Sequence, residues 1–195
     1  MNLPNKLTVL RMCLVPVIIV VLLLPVNTIT NILGAFIFLA TSLTDMLDGK
    51  IARKRGLVTD FGKFMDPLAD KFMVIAALMC IVYRSHHVPL IFNLFMPLIL
   101  ITVFRELAVT SIRLVVAKNA NIAVAANMHG KVKTVSQIVC VMSVLLEPVL
   151  AQISFLSFLN HYPITIASYV VTLIMTLWSC AIYLKTYWQY IGKDI

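Results

Sequence analysis

Residues 12–44 read MCLVPVIIVVLLLPVNTITNILGAFIFLATSLT, a run without a single charged side chain. A helix that crosses a bilayer needs about 20 predominantly apolar residues. The segment Pro25-Val26-Asn27-Thr28 interrupts the run with turn-forming residues and divides it in two. The run therefore predicts two consecutive transmembrane helices, the first over residues 7–24 and the second from residue 31 into residues 50–55.

The composition extends this prediction to the whole chain. Of its 195 residues, 61% are hydrophobic and 12% are charged, and the mean hydropathy is +0.98. Soluble domains have about 45–50% apolar and about 25% charged residues, and disordered chains are more polar still. These values exclude both classes. We predict an all-α polytopic integral membrane protein, a single domain over residues 1–195, with six transmembrane helices around a cytoplasm-facing polar cleft.

Four further spans are predicted at residues 62–83, 90–116, a segment that ends near Pro148, and 164–188. Outside the spans, every Lys and Arg except Arg84 falls on the side shared by the two termini, which the positive-inside rule makes cytoplasmic. The same rule explains the net charge of +8 without a nucleic-acid partner. Trp178, Tyr183, Tyr187 and Trp188 suit an aromatic belt at the membrane interface.

Four aspartates around the linker between the second and third spans are the candidate reactive groups. Asp45 and Asp48 are spaced i,i+3 and Asp66 and Asp70 i,i+4, so each pair shares one helix face. Ionisable groups in membrane helices are costly and mark functional sites. Because converging carboxylates repel one another unless cations neutralise them, and because oxygen ligands suit Mg²⁺ or Mn²⁺ better than zinc, we predict a divalent-cation site.

A purely structural alternative is that these aspartates pair with neighbouring basic residues such as Lys50, Arg53, Lys54 and Lys71. The small residues beside Asp48 weaken that alternative. Gly49 and Ala52 leave a shallow slot on the helix face, and the guanidinium of Arg53, one turn past Gly49, suits a phosphate group.

Residues 45–53 have the pattern Asp45-x-x-Asp48-Gly49-x-x-Ala52-Arg53, and after eight further residues comes Gly62-x-x-x-Asp66-x-x-x-Asp70. This combined pattern resembles the signature of the CDP-alcohol phosphotransferases at every fixed position. The resemblance implies two divalent cations held by Asp45, Asp48, Asp66 and Asp70, with Asp70 also the base that deprotonates the incoming alcohol. It implies that Asp48, Gly49, Ala52, Arg53 and Gly62 bind the CDP-lipid. It further implies six spans and a homodimer. The small residues Gly34 and Ala35 also favour a homodimer.

A second group of residues predicts the acceptor pocket. Arg105 and Arg113 lie two turns apart on one helix face, and Lys131 and Lys133 begin the next span on the same membrane side. A basic pocket beside a diphosphate site indicates an anionic acceptor, although the same residues could be positive-inside flanks. Glu106 is expected to project to a different face from Arg105.

The segments Asn2-Leu3-Pro4-Asn5-Lys6-Leu7-Thr8-x-x-Arg11 and Gly130-Lys131-x-Lys133-Thr134-x-x-Gln137 resemble a subgroup of that family, the bacterial phosphatidylglycerophosphate synthases. This resemblance implies CDP-diacylglycerol as donor, glycerol 3-phosphate as acceptor and the bacterial cytoplasmic membrane as location. Asn5, Thr8 and Arg11 would help to hold the nucleotide, and Arg105, Arg113, Lys131 and Lys133 the acceptor phosphate.

Several alternatives stay open. Inositol phosphate, phosphatidylglycerol or serine could be the acceptor in the same chemistry. A small membrane transporter would also bury carboxylates, but near the bilayer midplane and with related features in two halves, which this sequence lacks. Intramembrane prenyltransferases also use aspartate-rich helices, but they lack the glycine, alanine and arginine positions of the motif.

Overall fold

The computed structural model of the chain describes residues 3–55, 60–120 and 128–191. Within these ranges the side chains are described except at residues 3–7, 45–55, 60–64, 67, 114–115, 117–120, 129 and 189–191. The described residues contain no β-strand, which confirms the all-α class. They form six α-helices: α1 (Leu3–Leu23), α2 (Thr28–Arg55), α3 (Asp60–Arg84), α4 (Pro89–Ala120), α5 (Met128–Leu150) and α6 (Pro163–Ile191).

Local sequence signals explain where these helices begin. The side chain of Asn27 accepts a hydrogen bond from the amide of Thr30 at 2.8 Å, and the amide of Asn27 donates to Thr30 Oγ1 at 3.1 Å, a reciprocal cap at the start of α2. Pro89 and Pro163 open α4 and α6, where a missing backbone N–H costs nothing. The boundaries predicted for the helices are close to those observed. A short 3-10 helix, Ser154–His161, lies between α5 and α6 and was not predicted.

Side-chain contacts show how the helices alternate in direction. Arg84, at the end of α3, donates to the carbonyl of Leu22 at 3.2 Å and to Asn31 Oδ1 at 2.5 Å, so the end of α1, the start of α2 and the end of α3 meet. At the opposite end of the bundle, Thr8 of α1 contacts Asp66 of α3. Helices α1 and α3 are therefore parallel neighbours, and α2 runs against both.

Gly34, one of the two small residues given above in support of a homodimer, lies where α1 packs against α2. A Cβ atom added to Gly34 would lie 2.7 Å from Cδ2 of Leu22, so glycine permits the close approach of the two helices. Ala35 is also buried within the chain. Because both residues pack internally, they supply no motive for an interface between two copies.

Helices α4, α5 and α6 contain segments long and apolar enough to cross a membrane, by length and composition: Pro89–Arg113, Gly130–Leu150 and Pro163–Trp188. Two shorter apolar helical segments, Thr8–Leu23 and Thr28–Thr44, lie in α1 and α2. Large apolar side chains such as Ile29, Phe104 and Trp188 are exposed on the outside of the bundle, as is typical of surfaces that face lipid. These features are those of a membrane protein.

A buried carboxylate of α5, that of Glu147, accepts hydrogen bonds from the start of α6. Glu147 accepts hydrogen bonds from the amides of Ile164 and Thr165 at 2.9 and 2.8 Å and from the hydroxyl of Thr165 at 2.6 Å. These amides lie in the first turn of α6, where backbone donors have no partner inside the helix. Glu147 thus caps α6 from a neighbouring helix.

Replacing Glu147 by alanine is expected to destabilise the protein by about 2 kcal/mol, because the buried amides lose a charged hydrogen-bond partner. Thermal unfolding in detergent measures this loss. Glu147→Gln, which retains one acceptor oxygen, should lose less. An unchanged melting temperature for Glu147→Ala would contradict the capping role.

Candidate active site

A polar cavity of about 210 Å³ lies among α3, α4, α5 and α6, at the end of the bundle opposite Arg84. We call it the polar cavity. The side chains that give it its polar character are Asp70, Lys71, Thr102, Arg105, Glu106, Arg113, Lys131, Lys133, Thr134, Gln137 and Tyr183. All four residues predicted to bind the acceptor phosphate line it, so residues that lie up to 28 positions apart in sequence converge on one space.

Glu106 is the electrostatic centre of this cavity. Its Oε1 accepts hydrogen bonds from Lys133 Nζ at 2.5 Å and from Arg105 Nη1 at 2.7 Å, and Lys71 Nζ lies 3.8 Å from its Oε2. The expectation that Glu106 projects to a different face from Arg105 is therefore wrong. Successive residues on a helix are about 100° apart, but the long arginine side chain bends to reach the neighbouring carboxylate. The pairing neutralises charges that would otherwise be buried alone.

Tyr183 of α6 forms one wall of the polar cavity. Its hydroxyl accepts a hydrogen bond from Arg113 Nη2 at 2.5 Å, and the guanidinium carbons of Arg113 and Arg105 lie 5.0 and 5.8 Å from its ring centroid. At 2% exposure Tyr183 does not belong to an interfacial belt, so that prediction is wrong for this residue. The burial is explained by two cation–π contacts and a hydrogen-bonded hydroxyl.

The sequence of α6 carries a signal for this wall. Thr172, Thr176, Ser179 and Tyr183 follow one another at spacings of four, three and four residues, and all are buried. This spacing places them on one face of α6. Ser179 accepts a hydrogen bond from Arg105 Nη2 at 2.6 Å, so the Ser179 end of this face contacts α4, whereas Thr172 Oγ1 donates to a backbone carbonyl of α5.

Two of the four predicted aspartates have described side chains. Asp70 lines the polar cavity and lies within electrostatic range of Lys133 and Arg11. Asp66, one turn earlier on α3, accepts a hydrogen bond from Thr8 Oγ1 at 2.5 Å. Thr8 and Arg11 are both buried. The structure thus places Thr8 and Arg11, two of the three predicted nucleotide-binding residues of α1, beside the aspartates of α3.

The sequence model of the CDP-alcohol phosphatidyltransferases matches residues 1–185. The chain belongs to the CDP-alcohol phosphatidyltransferase family. Relatives named CDP-diacylglycerol–glycerol-3-phosphate 3-phosphatidyltransferase occur in several bacteria. The one from Bacillus subtilis is 41% identical over 158 residues, which are 75% of this chain and 77% of the relative. The one from Pseudomonas fluorescens is 32% identical over 197 residues, with 100% and 94% covered. A third, from Rickettsia typhi, is 51% identical over 73 residues, with 37% and 40% covered.

For this CDP-alcohol phosphatidyltransferase, part of the predicted site lies outside the described side chains. These residues are Asn5, Asp45, Asp48, Gly49, Ala52, Arg53 and Gly62. Their backbones belong to α1, α2 and α3. Their roles in binding the CDP-lipid and the cations stay predictions.

The donor set fits the divalent cations that the family resemblance implies. Asp66 and Asp70 present carboxylate oxygens on one face of α3, and Thr8 orients one of them. Among the described side chains, no group of three or more His, Cys, Asp or Glu residues is placed to hold a metal ion. A complete site would therefore need Asp45 and Asp48 of α2 as well. An oxygen-only set suits Mg²⁺ or Mn²⁺.

The polar cavity contains further residues, besides Glu106 and Tyr183, that were not predicted as site residues. Thr102 of α4 and Gln137 of α5 are both buried and both line the cavity. Gln137 lies one helical turn beyond Lys133, which places the two side chains on the same face of α5. That spacing was the available signal in the sequence.

Proposed function

We propose that this protein transfers the phosphatidyl group of CDP-diacylglycerol to sn-glycerol 3-phosphate, which yields phosphatidylglycerophosphate and CMP. The observation that carries the proposal is that Asp70 shares one cavity with a cluster of cations in an otherwise apolar helix bundle. The names of the bacterial relatives support the same reaction.

Asp70 would accept the proton of the attacking hydroxyl. The alcohol oxygen of the acceptor forms a bond to the phosphorus of the phosphatidyl group, and the bond from that phosphorus to the oxygen of CMP breaks. The hydroxyl proton passes to a carboxylate oxygen of Asp70, which must lie within hydrogen-bond reach of it. No Ser, Cys or His stands at a fixed position of the motif, which favours direct attack over a covalent intermediate.

The charge of the polar cavity favours an anionic acceptor. Five cationic side chains line it, and Asp70 and Glu106 are its two carboxylates. Glu106 is already bonded to Lys133 and Arg105. Arg113 donates to a neutral phenol, so its positive charge is available to a phosphate group.

Two divalent cations, Mg²⁺ or Mn²⁺, when bound by the four aspartates, would stabilise the charge on the attacking and leaving oxygens. We place the cavity, and with it both chain termini, on the cytoplasmic side of the bacterial membrane, with six helices crossing it. The loop charges support this orientation, since Arg84 lies at the other end of the bundle. The homodimer implied by the family resemblance stays a prediction.

The test is a turnover assay with purified protein in detergent, CDP-diacylglycerol and Mg²⁺. Glycerol 3-phosphate, inositol 1-phosphate, serine and phosphatidylglycerol are offered separately, and CMP release and the mass of the lipid product are followed. We expect CMP and phosphatidylglycerophosphate with glycerol 3-phosphate alone, and no CMP after chelation by EDTA until Mg²⁺ or Mn²⁺ is restored.

CMP release with a different acceptor would overturn the assignment of the polar cavity to glycerol 3-phosphate. CMP release that persists in EDTA would contradict the cation site. Folded protein that releases no CMP with any acceptor would contradict the proposed reaction and favour transport as the function.

A further inference from the structure

We propose that Gln137 recognises one hydroxyl group of the acceptor, namely the hydroxyl that does not take part in the reaction. The acceptor would then be selected as a phosphorylated diol, rather than as any phosphorylated alcohol. This inference rests on the proposed function, since it concerns the same cavity and the same reaction.

Gln137 occupies a buried position on α5. Its side chain is 1% exposed and lines the polar cavity. Nε2 donates to Thr102 Oγ1 at 3.4 Å, whereas Oε1 has no hydrogen-bond partner among the described residues. A buried carbonyl oxygen without a partner is destabilising, so its retention beside a cavity points to a ligand that donates to it.

Most of the other polar side chains of the cavity either donate hydrogen bonds or already accept them. Lysine and arginine side chains only donate hydrogen bonds. Glu106 Oε1 already accepts from Lys133 and Arg105, and Glu106 Oε2 faces the ammonium group of Lys71 at 3.8 Å. The hydroxyl of Tyr183 accepts from Arg113, and that of Thr102 accepts from Gln137 itself. Asp70 is assigned to the hydroxyl that attacks. Among the described side chains of the cavity, Gln137 Oε1 is the buried acceptor without a hydrogen-bond partner.

The acceptor of the proposed reaction carries three polar groups. Glycerol 3-phosphate has a phosphate group, a primary hydroxyl that reacts and a secondary hydroxyl that does not. The cations satisfy the phosphate group and Asp70 the primary hydroxyl. The secondary hydroxyl needs an acceptor, and Gln137 Oε1 supplies one. A site built to bind a substrate hydroxyl rejects the analogue that lacks it, because the buried group is then left unpaired.

The experiment compares kcat/KM for glycerol 3-phosphate and for 3-hydroxypropyl phosphate, which lacks only the secondary hydroxyl. We expect the wild-type protein to favour glycerol 3-phosphate by about 5- to 150-fold. Gln137→Met fills the same space without an oxygen and should bring the ratio close to one, through a loss with glycerol 3-phosphate. Ser136→Ala is the matched control, because Ser136 is buried on α5 but is not among the residues lining the cavity.

A second variant makes the test independent of the effect of Gln137→Met on folding. Gln137→Glu retains an acceptor oxygen, and its charge acts on both phosphorylated acceptors alike. It should therefore keep the preference for glycerol 3-phosphate even where overall turnover falls. A wild-type ratio near one, or a Gln137→Met variant that keeps the wild-type ratio, would overturn the inference while leaving the proposed reaction intact. Absence of CMP with wild-type protein and glycerol 3-phosphate would instead overturn the proposed reaction.

Discussion

Asp70→Asn is expected to lower kcat by about 10²- to 10⁴-fold, because the amide cannot take the proton of the attacking hydroxyl. Asparagine has nearly the same shape as aspartate, so the helix packing of α3 around this half-buried position should be retained. The measurement is CMP release at saturating CDP-diacylglycerol, glycerol 3-phosphate and Mg²⁺. Binding of the CDP-lipid, measured separately, should persist.

Asp60→Asn is the matched control for this variant. Asp60 begins the same helix but stands outside the motif that ends at Asp70. Its replacement should leave kcat close to that of the wild-type protein. If Asp70→Asn retained most of its kcat, the assignment of Asp70 as the base would be wrong.

Arg113→Met is expected to raise the KM for glycerol 3-phosphate by about 10- to 150-fold, with a smaller change in kcat. A hydrogen bond to a charged group contributes about 1.5–3 kcal/mol, which corresponds to that factor. Arg113 should contribute in this range because it is half-buried against Tyr183 and its Nε has no hydrogen-bond partner among the described residues. Initial rates over a series of acceptor concentrations measure the effect.

Lys131→Met is the matched variant, because it removes one positive charge from the rim of the same cavity. Lys131 is exposed, so water screens its interaction with the acceptor. Its KM should therefore rise by less than about tenfold. A larger effect for Lys131→Met than for Arg113→Met would show that the acceptor phosphate binds at the rim and not beside Tyr183.

The differing contributions expected of the four predicted basic residues illustrate a limit of sequence patterns. Spacing alone placed Arg105 and Arg113 on one face and assigned Lys131 and Lys133 to the same pocket. It did not separate Lys133, which is bonded to Glu106, from Lys131, which is exposed. Burial depends on which helix lies opposite each side chain, and that information is not local in sequence.

For Glu106 and Tyr183, the positions predicted from the sequence pattern are wrong. A carboxylate beside an arginine was assigned to a different face, and an aromatic residue near the end of the last span was assigned to the membrane interface. Both assignments used average tendencies of helix geometry and membrane position. The specific pairing of Glu106 with Arg105 and Lys133, and of Tyr183 with Arg113, overrides those tendencies.

The amino-acid sequence predicts the helical class, the membrane character and the family of this protein, because hydropathy, turn residues and the aspartate motif are properties of continuous segments. It also placed Asp66 and Asp70 on one helix face, since that relation needs only the helical period. The packing of the helices, in contrast, encloses one cavity among α3, α4, α5 and α6 and brings Glu106, Gln137 and Tyr183 into it, which no single segment of the sequence specifies. Each of these three residues has a partner on another helix, and the energies of buried pairing and desolvation depend on that partner.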